Sequence, residues 1–294
     1  MTDHTEARGQ APVAAPDGVD IGPLHVSWRA PLTVIAGPCV VESADMVLET
    51  AARLKRAAED LPVQLIFKAS YRKANRTSLS GFAGLPFAEA LDILRETRRA
   101  VALPVLTDVH ETGEVAAVAE AVDVLQIPAF LCRQTDLLVE AGRSGRAVNI
   151  KKGQFLAPED MAKAAEKVAS TGNTRVLLTE RGSAFGYRNL VVDMRGPVIM
   201  ARTGYPVVFD ATHSTQLPGG LNHASGGQPE FILPLARAAI ATGAVAGVFM
   251  EVHPDPRNAK SDAACQLPLN RFRAALESLT ALYAACELCR GENA

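Results

Sequence analysis

Four side chains of the types that bind transition metals are distributed along this chain, each beside a short apolar run. They are Cys39, His213, Glu251 and Asp262. Structural zinc sites usually take their ligands from short sequence clusters, whereas these four can meet only where a fold brings several strand ends together. A thiolate, an imidazole and two carboxylates suit a borderline divalent ion such as Zn, Fe(II), Mn or Co, and sulfur disfavours Mg and Ca. These residues predict a transition-metal site without selecting among the four metals.

Basic side chains also collect just after apolar runs. The set comprises Lys68, Arg72, Lys73, Arg76, Arg133, Lys151, Lys152 and Arg181. Like charges at the ends of buried strands repel one another unless an anionic ligand compensates them. Arginine binds phosphate through a planar, bidentate guanidinium, and lysine acts as a compact point charge. The set therefore predicts a binding site for two phosphates and a carboxylate.

The apolar periodicity indicates the elements that must position these side chains. Short runs rich in Val, Ile, Leu and Phe are typical of parallel strands buried on both faces, and they cover residues 32–37, 64–69, 104–109, 124–129, 147–152, 176–181, 206–211 and 247–252. Helices are predicted from Ser43 to about Asp60, from Pro158 to about Gly172 and from Pro229 to about Gly243. This repeat predicts a (β/α)8 TIM barrel with its active site at the carboxyl ends of the strands. A doubly wound open sheet is the alternative, but no GxGxxG turn follows the first run.

Composition limits the classes of function. The 294 residues carry a net charge of −2, with 48% hydrophobic and 5% aromatic residues, which favours one large soluble α/β domain over a nucleic-acid-binding protein. Five cysteines without regular spacing argue against a disulfide framework, and no segment resembles a signal peptide or a membrane span, so we expect a cytoplasmic protein. Residues 1–22 are predicted to be a flexible N-terminal extension, and residues 23–294 a single catalytic domain.

Several motifs together resemble one known family. They are IAGPCVVES (35–43), FKASYRKANRTS (67–78), TDVHE (107–111), NIKKGQF (149–155), FDATHSTQLPGG (209–220) and MEVHPDP (250–256). From about residue 31 to residue 269, the chain is similar to the 3-deoxy-D-manno-octulosonate 8-phosphate synthase family. The resemblance implies a homotetrameric (β/α)8 enzyme that condenses phosphoenolpyruvate with D-arabinose 5-phosphate for lipopolysaccharide synthesis and releases phosphate. Cys39 stands where the metal-free members have asparagine, so the chain resembles the metal-dependent class.

The resemblance also implies roles for individual residues. Phosphoenolpyruvate would be bound by Lys68, Ser70, Lys73, Gln126, the backbone of Ala129, Lys151 and Arg181. The pentose phosphate would be bound by Asn75, Arg76, Thr77, Asp108 and, from a neighbouring subunit, Arg133. The expected catalytic residues are Lys73, His213 and Asp262, with His213 or Asp262 relaying protons. Thr77 replaces a serine of the family and keeps its hydroxyl group.

Other activities remain as alternatives. The sister family makes 3-deoxy-D-arabino-heptulosonate 7-phosphate from erythrose 4-phosphate, but its loop typically reads KPRTS where this chain reads KANRTS. A Schiff-base aldolase would use Lys68 or Lys151 as its nucleophile. A barrel that only binds sugar phosphates would not need the four metal-type side chains.

Overall fold

A short antiparallel hairpin is the first element of the computed structural model, which describes residues 17–75, 81–221 and 224–287. The hairpin pairs β1 (Val19–Ile21) with β2 (Leu24–Val26). Val19 and Ile21 are buried in the core because alternate side chains of a strand point to the same face. The predicted flexible extension, residues 1–22, therefore overlaps an ordered hairpin at its end, and its residues 1–16 lie outside the described residues.

Parallel strands close into a barrel. Within the described residues, the eight barrel strands are β3 (Leu32–Gly37), β4 (Val63–Lys68), β5 (Val105–Asp108), β6 (Val124–Ile127), β7 (Ala147–Lys151), β8 (Val176–Glu180), β11 (Val207–Asp210) and β14 (Gly247–His253). The short strands in the connecting segments are β9 (Ser183–Ala184), β10 (Leu190–Val191), β12 (Gln216–Leu221), β13 (Ala224–Gly227) and β15 (Leu267–Pro268). Pairing follows chain order from β3, and β14 pairs with both β11 and β3. The predicted (β/α)8 barrel is confirmed, and the open-sheet alternative is wrong.

Helices cover the outside of the barrel. In the described part of the chain they are α1 (Ala44–Ala58), α2 (Phe87–Val101), α3 (Val115–Ala121), α4 (Thr135–Arg143), α5 (Met161–Ala169), α6 (Arg195–Ala201), α7 (Ile232–Ala241) and α8 (Leu269–Ala285). Ser43 caps α1 by accepting a hydrogen bond from the Met46 backbone N–H, as its position predicts. Pro158 and Pro229 each begin a short 3₁₀ turn that leads into a helix, α5 and α7 respectively. No described helix is long and apolar enough to cross a membrane.

The packing between β3 and β4 is close at the end that leads to Cys39. Gly37 ends β3, and a Cβ atom at this position would overlap the carbonyl oxygen of Lys68, the last residue of β4. Only glycine allows this approach. The IAGPC segment can therefore lie against the neighbouring strand and direct Cys39 toward the open end of the barrel.

Candidate active site

A cavity of about 550 Å³ lies at the carboxyl ends of the barrel strands. The sequence-predicted site residues that line it are Lys68, Lys73, Asn75, Asp108, Gln126, Ala129, Lys151, Arg181, His213, Glu251 and Asp262. Parallel strands of a barrel end at the same face, so residues far apart in the sequence share this space.

Cys39, Glu251 and Asp262 form a compact group of metal-type donors. Their donor atoms lie within 4.8 Å of one another, and Cys39 Sγ is 3.3 Å from Asp262 Oδ2. The register of β3 on β14 places Gly37 opposite Glu251, and Cys39 follows Gly37 by two residues. Asp262 comes from the loop after β14 and has a φ of 48°, a left-handed conformation that is uncommon for residues with a side chain. Barrel closure and this turn bring the three side chains together.

His213 lies beside this group and is oriented by Asp210. Its Nε2 is 3.6 Å from Glu251 Oε1 and 3.9 Å from Asp262 Oδ2, and its Nδ1 is 2.8 Å from Asp210 Oδ2. An ionised carboxylate only accepts hydrogen bonds, so the neutral imidazole carries its proton on Nδ1 and directs the Nε2 lone pair toward the group. A carboxylate behind the ring is the usual arrangement for a metal-ligating histidine.

The hydrogen bonding and charge of the group fit a bound divalent cation. Glu251 Oε1 accepts a hydrogen bond from Lys68 Nζ at 2.5 Å, whereas the buried Glu251 Oε2 has no hydrogen-bond partner among the described residues. Such an oxygen is unfavourable without a partner, and metal coordination would satisfy it. Burial and the charges of Asp262 and Glu251 raise the pKa of the Cys39 thiol well above its ordinary value. A divalent cation would counter that effect by favouring the thiolate.

Lys68 and Lys73 are compensated by carboxylates. Lys68 Nζ donates to Glu251 and, at 2.9 Å, to the Cys39 carbonyl oxygen. Lys73 Nζ lies 3.5 Å from Glu251 Oε1 and 3.8 Å from Asp108 Oδ2. Burial alone would lower the pKa of Lys73, but the surrounding thiol and carboxyl groups raise it well above its ordinary value. The expectation that these cations need an anionic ligand for compensation is therefore incomplete.

Lys151 and Arg181 differ in how their charges are compensated. Lys151 Nζ donates to Asp210 Oδ2 at 2.5 Å and lies 3.5 Å from the centroid of the Phe249 ring. Arg181 Nη2 donates to Gln216 Oε1 at 3.1 Å, but Arg181 makes no ion pair within the described residues, and its buried Nε has no hydrogen-bond partner among them. Burial lowers the pKa of Arg181 from its ordinary value. A buried guanidinium with a free donor is suited to bind an anionic group.

Asp108 is held in a chain of side-chain hydrogen bonds across β5 to β8. Ser70 Oγ donates to Asp108 Oδ2 and Gln126 Nε2 donates to Asp108 Oδ1, both at 2.5 Å. Asn149 Nδ2 then donates to Gln126 Oε1 at 2.8 Å, and Thr179 Oγ1 donates to Asn149 Oδ1 at 2.6 Å. The chain determines the orientation of the Gln126 amide and leaves Asp108 at its acceptor end.

The sequence from residue 28 to residue 285 matches the DAHP synthetase I family. The chain belongs to the DAHP synthetase I family. It is 55% identical over 267 residues to a 2-dehydro-3-deoxyphosphooctonate aldolase of Magnetococcus marinus, an alignment that covers 91% of this chain and 93% of the relative. Proteins of the same name from Bradyrhizobium sp. (strain ORS 278) and Syntrophotalea carbinolica are each 53% identical, covering 97% and 91% of this chain and 98% and 96% of the relatives. That name denotes 3-deoxy-D-manno-octulosonate 8-phosphate synthase, so the predicted resemblance is confirmed and the protein is an enzyme.

The remaining predicted residues of this DAHP synthetase I family barrel differ in their locations. Asn75 and Ala129 line the cavity, whereas Arg76 and Thr77 lie outside the described residues. Arg133 is exposed and lines a separate cavity of about 270 Å³. Arg133 is not among the residues that line the larger cavity.

Several side chains of this family's site had no role assigned from the sequence. Asp210 ends β11, and its position three residues before His213 is a spacing at which the two can pair. Ser261 Oγ lies 3.0 Å from Cys39 Sγ, and its sequence signal is its place beside Asp262. Gln216 Nε2 donates to Asp262 Oδ1 at 3.3 Å, a contact between two segments that no local pattern indicates.

Proposed function

We propose that the protein is a metal-dependent 3-deoxy-D-manno-octulosonate 8-phosphate synthase. It condenses phosphoenolpyruvate, D-arabinose 5-phosphate and water to 3-deoxy-D-manno-octulosonate 8-phosphate and inorganic phosphate, which supplies the octulosonate of lipopolysaccharide. The observation that carries the proposal is the buried Arg181 guanidinium, which has an unpartnered Nε in a cavity that also contains Lys68, Lys73 and Lys151. The names of the relatives support the particular substrates.

Substrate binding follows from the cations of the cavity. Arg181 and Lys151 bind the phosphate of phosphoenolpyruvate, and Lys73 orients its carboxylate. Lys68, paired with Glu251, adds positive charge beside the same substrate. Two anionic substrates repel each other in water, and cations that are already in place offset this repulsion and hold the reacting carbons together.

The proposed reaction forms one carbon–carbon bond and one carbon–oxygen bond, and it breaks the bond between C2 and the phosphate oxygen. C3 of phosphoenolpyruvate attacks the aldehyde carbon of the pentose phosphate while water adds at C2. The tetrahedral phosphohemiketal then loses phosphate. The bond between C2 and the phosphate oxygen breaks, and the C2 hydroxyl becomes a ketone as it loses its proton. Negative charge moves toward the departing phosphate, where Arg181 and Lys151 stabilise it without reorganisation.

Proton transfer is assigned to His213 or Asp262. Asp210 accepts a hydrogen bond from His213 Nδ1–H, so a His213 ring that is not bound to the metal can accept at Nε2 the proton that the attacking water loses. Asp262, whose Oδ2 lies 3.9 Å from Nε2, is the alternative acceptor through the carboxylate oxygen that does not bind the metal. The aldehyde oxygen gains a proton as it becomes a hydroxyl, which balances the reaction.

The metal is assigned to Cys39, His213, Glu251 and Asp262. This donor set suits Zn, Fe(II), Mn or Co, and the unpartnered Glu251 Oε2 supports a cation there. When bound, such an ion would supply Lewis acidity to an oxygen of a substrate or of water. The protein's own contribution is to orient the donors, through Asp210 for His213 and Ser261 for Cys39.

Phosphate release from phosphoenolpyruvate tests this proposal. We expect release only when arabinose 5-phosphate is also present, loss of activity after chelation, and recovery with Zn, Mn, Co or Fe(II). Full activity in chelator would contradict metal dependence. No phosphate release with metal and both substrates would contradict the reaction itself.

The heptulosonate reaction is a second candidate because the family description names it. Ala74 and Asn75 follow the octulosonate pattern in the KANRTS segment, and the relatives carry the octonate name. We therefore expect a higher kcat/KM with arabinose 5-phosphate than with erythrose 4-phosphate when both are assayed under the same conditions. The reverse preference would establish the heptulosonate reaction.

The Schiff-base alternative has one property in its favour. Burial lowers the pKa of Lys151, but its ammonium is paired with Asp210, as that of Lys68 is paired with Glu251. We expect no covalent adduct when the enzyme is treated with borohydride in the presence of arabinose 5-phosphate. A mass increase located on Lys68 or Lys151 would support the aldolase.

The enzyme is further proposed to be a cytoplasmic homotetramer in which Arg133 completes the site of a neighbouring protomer. Phe130, Phe155 and Phe185, in loops that follow barrel strands, are 57%, 60% and 68% exposed, and such aromatic residues favour a protein interface. Light scattering should give the tetramer mass. Coexpressed Arg133→Ala and Arg181→Ala chains should recover activity that neither has alone, because mixed oligomers contain sites with both arginines. Failure of this rescue would contradict the shared site.

A further inference from the structure

His110 faces the same cavity and is connected by hydrogen bonds to Tyr71 and, through it, to Glu114. It follows Asp108 by two residues and lines the cavity. His110 Nδ1 lies 3.0 Å from the hydroxyl of Tyr71, whose side chain is fully buried. The same hydroxyl lies 2.5 Å from Glu114 Oε2. The three groups form a continuous chain from Glu114, whose side chain is 18% exposed, through the buried Tyr71 to the cavity.

The direction of the hydrogen bonds in this chain follows from its Glu114 end. Arg72 Nη2 lies 3.2 Å from Glu114 Oε1, and a carboxylate paired in this way only accepts hydrogen bonds. Burial and Glu114 raise the pKa of Tyr71 above its ordinary value, so the phenol stays protonated and donates a hydrogen bond to Glu114. The Tyr71 oxygen must then accept from His110, which requires a proton on Nδ1.

A proton on Nδ1 leaves the Nε2 of a neutral His110 as a hydrogen-bond acceptor. Burial lowers the pKa of His110, which favours the neutral ring. Nε2 has no hydrogen-bond partner in the parts of the chain that the structure describes. Lys73, Asn75 and Asp108 line the cavity with His110, and Asn75 and Asp108 are two of the residues predicted to bind the pentose phosphate.

We propose that His110 Nε2 accepts a hydrogen bond from a hydroxyl group of the aldose phosphate, and that Tyr71 and Glu114 are positioning residues that maintain the accepting tautomer. This inference rests on the proposed function, because it assumes a polyhydroxy aldehyde in the cavity. It adds a substrate-binding side chain that contributes to the selection of the aldose and does not contact phosphoenolpyruvate.

Two substitutions of His110 separate the cavity contact from the contact with Tyr71. In His110→Asn the amide occupies the region of Nδ1, which keeps the Tyr71 hydrogen bond and removes the acceptor in the cavity. In His110→Gln the amide reaches toward the Nε2 position and restores an acceptor. We expect His110→Asn to raise the KM for arabinose 5-phosphate roughly 3- to 10-fold, with the KM for phosphoenolpyruvate within about 2-fold of wild type, and His110→Gln to recover most of this loss. Unchanged kinetics in His110→Asn, or an equal rise in both KM values, would overturn the inference.

Glu114→Gln tests the positioning chain. Arg72 attracts the carbonyl oxygen of the new side chain, so its amide N–H₂ turns to Tyr71 and reverses the hydrogen bonds. Tyr71 then donates to His110 Nδ1, and the ring proton moves to Nε2. We expect the same selective rise in the KM for arabinose 5-phosphate with little change in the thermal unfolding midpoint. A lower midpoint with both KM values unchanged would assign Glu114 a structural role and overturn the positioning chain.

The tautomer can be measured without relying on activity. The measurement is a ¹⁵N NMR spectrum of wild-type enzyme with ¹⁵N-labelled histidine. The chain has six histidines, and the signals that are missing from the spectrum of His110→Asn belong to His110. We expect a protonated Nδ1 and an unprotonated Nε2, and a change in the Nε2 shift on addition of arabinose 5-phosphate. A proton on Nε2 would overturn the inference even in an active enzyme. If wild type does not turn over arabinose 5-phosphate, the proposed function fails, and the tautomer is still determined by this spectrum.

Discussion

Glu251 is the carboxylate on which the contacts of the site converge. Its Oε1 accepts from Lys68 and lies 3.5 Å from Lys73 Nζ and 3.6 Å from His213 Nε2. Its Oε2 has no hydrogen-bond partner among the described residues, and the carboxylate forms the metal-type group with Cys39 and Asp262. The surrounding cations hold the pKa of Glu251 well below its ordinary value, although burial alone would raise it. One residue thereby connects the lysines to the metal-type donors.

Replacement of Cys39 by serine should remove most of the bound metal. Cys39→Ser changes a soft thiolate ligand to a hydroxyl, so we expect metal affinity to fall by about 10-fold or more, with a parallel loss of activity. Metal content after dialysis, measured by elemental analysis, checks this. Cys132→Ser is the matched control because Cys132 is equally buried but is not among these donors. Equal metal content in the two variants would exclude Cys39 as a ligand.

Replacement of Asp210 by asparagine should lower kcat. The carboxylate pairs with both Lys151 and His213. The amide of asparagine has no charge to compensate the lysine, and it can donate to the histidine Nδ1, so a proton on that nitrogen is no longer required. We expect kcat to fall roughly 100-fold or more. Asp193→Asn, which alters an exposed ion pair with Arg195, should leave kcat unchanged. Wild-type turnover by Asp210→Asn would show that the pair with His213 has no role in catalysis.

Strand register and connecting loops determine how these side chains meet. The pairing of β14 with β3 brings Glu251 to the segment that carries Cys39. The loop after β14 is held by Glu42, whose Oε1 accepts from the Lys260 backbone N–H at 2.9 Å. Asp262 follows in this loop two residues later. The metal-type group therefore depends on one strand pair and one anchored loop.

Replacement of Gly37 by alanine should destabilise the barrel at this point. The added Cβ would overlap the Lys68 carbonyl oxygen, which is backbone and cannot move without shifting β4. We expect the free energy of unfolding to fall by roughly 1–3 kcal/mol, measured by denaturant titration. Gly113→Ala is the control because a Cβ there meets no atom within 4 Å. Equal stability of the two variants would contradict the close approach of β3 and β4.

Charge in the whole molecule is nearly balanced, and so is charge in its interior. The chain carries a formal net charge of −2, and the buried Lys68, Lys151 and Lys152 each have a carboxylate within 4.0 Å. Buried ion pairs of this kind are costly to break because the remaining charge has no partner. Arg181 is the buried cation of the described residues that has no such carboxylate, which distinguishes it as an anion-binding group.

The free energy of unfolding of the whole protein should decrease in acid, and part of this decrease should come from protonation of Asp108. Burial alone would raise the pKa of Asp108, but Lys73, Lys68 and its hydrogen bonds lower it below its ordinary value. A carboxyl group with a lower pKa in the folded state stabilises the protein above the unfolded-state pKa, near 4, and loses this effect as the pH falls toward the folded-state pKa. Stability should therefore fall below about pH 4.

The substitution Asp108→Asn isolates the contribution of Asp108 to the pH dependence of stability. The difference in unfolding free energy between wild type and Asp108→Asn should decrease by about 1.4 kcal/mol per pH unit below about pH 4. Urea titrations from pH 7 to pH 3 measure this difference. Asp136→Asn, at an exposed position, is the control. We expect its difference in unfolding free energy from wild type to stay nearly constant with pH. A difference that grows as the pH falls would reverse the assigned sign.

Local patterns were sufficient for the barrel strands and for the locations of most site residues. The run predicted at 32–37 is β3, Leu32–Gly37, and the run predicted at 176–181 overlaps β8, Val176–Glu180. Apolar periodicity is a local property, and the closed barrel it predicts places every strand end at one face. Cys39, Glu251 and Asp262 could therefore be grouped before any distance was known. The hairpin of β1 and β2 was missed because its three-residue strands are too short to show a period.

The partners of the charged residues depended on the tertiary structure. The register and closure of the barrel determine which cation has a carboxylate partner. They pair Lys151 with Asp210 and Lys68 with Glu251, and they leave Arg181 without a carboxylate. The His110 tautomer likewise depends on the contact with Tyr71, which is 39 positions away, and on the contact of Tyr71 with Glu114. Hydrogen bonds and ion pairs form over about 3 Å, whereas a sequence pattern defines which face a side chain occupies and not its distance from a neighbour on another strand.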